Sequence, residues 1–119
     1  MATSIIRYQA DSNSKMITVT GYDSSIILDE YICVAGNCCL LVVTIKPGLT
    51  AGWKTNVSTN IPEKYRPLID NVGGVPIPSD HSDYGKIESA RLTPNGNIEL
   101  LLGGTLTYGQ RLSFTYPIS

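Results

Sequence analysis

Short β-like runs recur along this chain every eight to twelve residues, each bounded by turn-forming residues. That spacing belongs to a sandwich or jelly roll rather than to alternating helices and strands. It predicts strands near 4–10, 15–20, 26–34, 39–46, 52–59, 72–77, 85–93, 97–102 and 111–118. Between them stand Asp11-Ser12-Asn13-Ser14, Gly21-Tyr22-Asp23, Gly36-Asn37, Lys46-Pro47-Gly48, the loop from Pro78 to Asp83, Pro94-Asn95-Gly96 and Gly103-Gly104, all turn chemistry. Composition agrees: Ile, Val and Thr supply 31 residues against 14 for Ala, Glu and Lys, the balance of pleated, half-buried surfaces. At 119 residues the chain fits a single domain with a single core, 1–119, in which 1–14 forms an N-terminal strand or arm.

Side-chain alternation orients several strands. Leu112, Phe114, Tyr116 and Ile118 point one way, and Arg111, Ser113 and Thr115 point the other. Trp53, Thr55 and Val57 alternate with Lys54, Asn56 and Ser58 in the same fashion, which assigns Trp53 to a core face. Leu40-Leu41-Val42-Val43 is apolar on both faces, so that strand is covered a second time, either by a third layer or by a neighbouring subunit. Leu100-Leu101-Leu102 makes the same case more weakly.

Charge and targeting features narrow the partners. Nine basic residues stand against ten acidic ones without a run of either sign, a poor surface for nucleic acid or anionic membranes. Residues 1–7 hold no apolar stretch long enough for a signal peptide, and no later segment reaches membrane-spanning length. The product is therefore expected to stay where it is made unless its assembly is released. Cys33, Cys38 and Cys39 read as reduced, small apolar residues in or beside strands, since an odd count and a vicinal pair suit disulfides badly. Oxidation could still link Cys33 to Cys38 or Cys39 across a short hairpin.

Catalytic chemistry finds little support. A thiolate metal site lacks further ligands, because the single histidine, His81, lies more than forty residues away. No serine sits in a nucleophile elbow, no pair of acids is singled out for glycoside hydrolysis, and no glycine cluster has a phosphate-loop setting. No enzyme, metal or cofactor is expected. Asp80, His81 and Asp83 cluster, and such a set forms an exposed polar loop, ligates a cation or hydrogen-bonds sugar hydroxyls, the plain loop being the preferred reading. With Trp53 and Tyr84 as aromatic faces for sugar C–H surfaces, these five residues are the candidate ligand set, Trp53 competing with its core assignment.

The segment Asn60-Ile61-Pro62-Glu63-Lys64-Tyr65-Arg66-Pro67 resembles the Leu-Pro-x-Gly-Tyr-Arg-Pro signature of head domains in tailed-bacteriophage receptor-binding and baseplate (tail fibre) proteins. Met16-Ile17-Thr18-Val19 and the Trp53 strand resemble that family's early strands. The stretch Ala90–Leu100, with its Pro94-Asn95-Gly96 turn, resembles its hairpin, and Leu112–Pro117 its terminal strand. Two departures stand out: Lys64 replaces a common glycine, and no shaft or collagen-like segment precedes the head. The second leads to the expectation of an excised head or a small standalone virion protein. The motif also has its own physical reading, a rigid crossing with φ fixed by Pro62 and Pro67, Tyr65 packed and Arg66 bonded to loop carbonyls.

The resemblance implies an antiparallel β-sandwich of jelly-roll type, assembled as a homotrimer in a virion put together in the bacterial host cytoplasm. Its partners would be a host cell-surface saccharide and other virion proteins, without nucleic acid or membrane insertion. The rival is a structural virion protein without a ligand, such as a capsid decoration or fibre-capping module. A tail-associated glycosidase or esterase ranks third.

Overall fold

The computed structural model describes residues 14–71 and 73–118, and these are all-β. Eight strands run in chain order: β1 (Lys15–Thr18), β2 (Ile27–Ala35), β3 (Cys38–Ile45), β4 (Gly52–Ser58), β5 (Val75–Pro76), β6 (Ile87–Leu92), β7 (Asn97–Leu102) and β8 (Gln110–Pro117). Among the described residues the helical structure is a 3-10 turn at Glu63–Tyr65. One antiparallel sheet has the order β1-β2-β3-β8-β5 and the other β4-β7-β6, an arrangement compatible with a β-sandwich. Seven of the expected strands appear close to their predicted bounds. Of the strand expected at 72–77, residue 72 lies outside the described residues and Val75–Pro76 is a strand, in a stretch where prolines 76 and 78 remove ladder donors. The strand expected at 4–10 lies outside the described residues.

The core draws one face from each sheet. Ile32, Leu41, Val43, Ile45, Leu112 and Phe114 from the larger sheet are fully buried with Val57, Leu92, Ile98, Leu100 and Leu102 from the smaller. The alternation read along β8 holds, since Leu112, Phe114 and Tyr116 are buried and Arg111 and Thr115 exposed. In β3, Leu41 and Val43 enter the core. Leu40 and Val42 face outward, the first 36 % exposed and the second buried between its register partners Tyr31 and Ser113. Outward rows therefore run Met16–Cys33–Leu40–Thr115 and Thr18–Tyr31–Val42–Ser113–Val75 across the larger sheet.

Both edges of the smaller sheet carry an irregularity, in β4 between Lys54 and Val57 and in β6 between Ile87 and Ser89. In β4, Thr55 and Asn56 together oppose Glu99, and Asn56 takes a left-handed backbone, φ 55. The extra residue inverts the alternation. Val57 goes inward, but Trp53 goes outward and is 60 % exposed, so its assignment to a core face is corrected. Bulged edges also resist pairing with a further strand.

Two polar side chains enter the interior. Glu30 shares the core face of β2 with Ile32, and both its carboxylate oxygens are buried without a hydrogen-bond partner. Desolvation pushes its pKa up to about 8. Tyr116, whose phenol burial likewise raises, donates from Oη to the Tyr65 carbonyl at 2.7 Å. The three cysteines are free: Cys38 is exposed, Cys33 half-buried and Cys39 buried, where desolvation first and then Cys38 and Cys33 raise its thiol pKa.

Residues 59–76 cross between the sheets. Tyr65 is packed, and Arg66 Nε donates to the Ile61 carbonyl at 2.9 Å, as the architectural reading of this motif expects. Asn71 then bridges to Leu92 on the β6 edge, and β5 pairs with β8 at the edge of the other sheet. Between these anchors Gly74 passes so close to the core that a Cβ would stand 2.6 Å from Ala90 Cβ and 2.7 Å from Phe114 Cε2. Glycine is required there by space.

Candidate functional site

Two loops build a cleft beside the larger sheet. The first leaves β5, turns at Pro78 and returns through His81 and Asp83 to β6. The second joins β7 to β8 through residues 103–109. Leu106, fully buried, pins the second loop, exchanging backbone hydrogen bonds with Gly48 and Leu49. Gly109 closes it with φ 93, and a Cβ there would meet the Ile45 carbonyl at 2.7 Å.

Asp83 ties the loops together. Its carboxylate is wholly buried and accepts from the backbone N–H groups of Thr107 (2.8 Å), Tyr108 (2.6 Å) and Gly109 (2.7 Å), with the Lys86 ammonium at 3.6 Å. Desolvation pulls its pKa upward, but the three N–H donors and Lys86 outweigh it, and the net shift is downward. The side chain that the sequence offers as a ligand group therefore positions Tyr108 and Gly109.

The resulting cleft has a volume of about 270 Å³. His81 and Tyr108 form one wall, their rings 5.0 Å apart and inclined by 39°. Ser79 Oγ lies 3.4 Å from His81 Nδ1, which also accepts from the Asp83 N–H at 3.4 Å. Arg111, from the polar face of β8, also lines the cleft, its Nε 3.5 Å from Thr44 Oγ1. Arg111 makes no ion pair among the described residues. Gln110, only 2 % exposed, donates from Nε2 to the carbonyls of Ile77 and Arg111, both at 2.9 Å, and leaves its Oε1 without a partner. The lining holds two aromatic rings, hydroxyls and one cation, but no carboxylate.

Of the five residues selected from sequence, His81 lines this cleft, Asp83 supports it from below, and Asp80 is exposed on the same loop. Tyr84, 48 % exposed, follows the loop's turn, its N–H bonded to the His81 carbonyl, and does not line the cleft. Trp53 lines a different cavity, with Ser89, Arg91 and Glu99. Sequence reasoning missed Thr44, Tyr108, Gln110 and Arg111. Only Arg111 carried a usable signal, its place on the polar side of the β8 alternation. Compared with protein-family models, curated proteins and solved structures, the chain matches none of them.

Proposed function

We propose that this domain is the receptor-binding head of a phage or prophage virion, a jelly-roll β-sandwich that binds a host cell-surface saccharide without chemical turnover. The observation that carries the reading is the cleft, which brings the His81–Tyr108 ring pair together with Arg111, a guanidinium that makes no ion pair among the described residues. Aromatic faces stack on sugar C–H surfaces, and a guanidinium offers a planar fork of N–H donors to sugar hydroxyls. A lining without a carboxylate offers no acid pair for glycoside hydrolysis. The resemblance in residues 60–67, 90–100 and 112–117 supplies the biological setting.

Binding of the purified domain to intact candidate host cells, and to their isolated cell-wall polysaccharides, tests this. Tyr108→Ala and Arg111→Ala alter exposed side chains and should each weaken binding at least about tenfold, near 1.4 kcal/mol, with the melting temperature unchanged. Saccharide binding indifferent to both substitutions would refute the cleft as the receptor site.

The alternative, a fibre-capping or decoration module, is favoured by one observation. Leu68 and Ile69 are 60 % and 77 % exposed beside an apolar cavity of about 300 Å³. A capping module would bury these loops against a neighbouring virion protein and bind no polysaccharide from any host.

A further inference from the structure

The outer face of the smaller sheet holds the chain's one tryptophan in an unusual setting. Across the register, Trp53 of β4 stands beside Leu101 of β7, which stands beside Ser89 of β6. On the next row Glu99 faces Arg91. Together Trp53, Ser89, Arg91 and Glu99 enclose a cavity of about 150 Å³, room for one ring and not for a chain of them.

Trp53 reaches this position only through the β4 bulge. An unbroken strand would place it with Val57 in the core; instead Asn56 adopts a left-handed backbone and the indole stays 60 % exposed. The polar groups around it are held but not used up. Arg91 is fixed by its ion pair with Glu99 and by Asp70 at 3.8 Å, yet among the described residues only one of its N–H donors makes a hydrogen bond. Among the described residues the Ser89 hydroxyl makes none. A flat apolar face beside a rigid donor fork, an acceptor and a free hydroxyl matches the two sides of a pyranose, its C–H face and its hydroxyl rim. Charge decides the class of sugar. Glu99 and Asp70 together outnumber Arg91, so a carboxylated or phosphorylated ring would meet net repulsion.

We propose that this face is a second saccharide site, separate from the cleft, in which Trp53 stacks on an uncharged sugar ring and Ser89, Arg91 and Glu99 hydrogen-bond its hydroxyls. The assignment stands on this face alone and does not rest on the reading of the cleft.

Because Trp53 is the only tryptophan, its emission reports this site and no other. The full chain is titrated with cellotetraose, chitotetraose and galactotetraose as uncharged probes and with tetragalacturonate as the charged one. At least one uncharged probe should give a saturable change in emission below about 10 mM, the weak end of specific recognition. Tetragalacturonate should bind at least about tenfold more weakly, a difference set by the charge balance. By calorimetry, Trp53→Ala should abolish the binding heat and Trp53→Phe should keep part of it, with the far-ultraviolet circular dichroism of both unchanged. Three uncharged probes without saturation, heat that persists in Trp53→Ala, or tetragalacturonate binding as well as the best neutral probe would each overturn the assignment.

Discussion

Glu30 is a carboxylic acid buried on the core face of β2, and among the described residues its two oxygens have no hydrogen-bond partner. With its pKa pushed up to about 8 from 4.5, the folded protein keeps the proton over a range in which the unfolded chain has released it. Stability is then full below pH 4.5, falls as pH rises from 4.5 to 8, and loses nothing more from this group above that. The slope cannot exceed about 1.4 kcal/mol per pH unit for one proton. Melting curves between pH 5 and 9 should show the wild type losing stability toward pH 8, whereas Glu30→Gln, which cannot ionise, should flatten that dependence. A wild-type curve that rises over this interval would contradict the buried, protonated acid. Asp83 shows the opposite outcome for a buried carboxylate, since three backbone donors reach it and its charge is retained.

At the level of the strand, the alternating hydrophobic pattern was a reliable guide wherever pairing is regular. β2, β3, β7 and β8 fall close to their predicted bounds because a period-two pattern with one apolar face has few other ways to bury itself. The pattern failed at β4 because Trp53-Lys54-Thr55-Asn56-Val57-Ser58 satisfies an unbroken strand equally well, and an inserted residue leaves no compositional trace. The cleft was legible through His81 and its loop and, more faintly, through Arg111 on the polar side of β8. Tyr108, which packs against His81, comes from a loop some twenty-five positions later that Asp83 brings near, and no local pattern encodes that pairing. Asn56 provides the test of the bulge. Valine at φ 55 is strained by about 1–3 kcal/mol, whereas glycine accepts that backbone freely. In urea, Asn56→Val should lower the unfolding midpoint and Asn56→Gly should leave it nearly unchanged. Equal midpoints for the two variants would mean that the bulge is absent in solution.

For the whole molecule, the outward rows of the larger sheet set the expectation for assembly. Met16, 66 % exposed, Leu40 and Val75 present apolar surface on a face that no other element of the described chain covers. A homotrimer joined through this face would bury it, and each leucine so covered contributes roughly 1.5–3 kcal/mol. Light scattering at low micromolar concentration should then give three times the 12.9 kDa chain mass. Leu40→Asp should yield folded monomers, while Leu41→Asp, which puts a charge into the core, should prevent folding. A wild-type mass of 12.9 kDa would refute the trimer, and a trimer that survived Leu40→Asp would move its interface elsewhere.

The strand order carries a consequence for how the chain comes into being. β8 lies inside the larger sheet, with β3 on one side and β5 on the other, and it pairs Cys38 with Pro117. During synthesis, β1 to β3 leave the ribosome first and form a meander whose inner edge has no partner. Its apolar face waits through everything that follows. Only when Pro117 has emerged can Phe114 and Tyr116 close the core from the middle of the sheet. Long-range pairing of this kind is slow and leaves an open edge exposed in the interval. The nascent chain thus passes that interval with the inner edge of residues 38–45 unpaired, the place where a wrong strand would add.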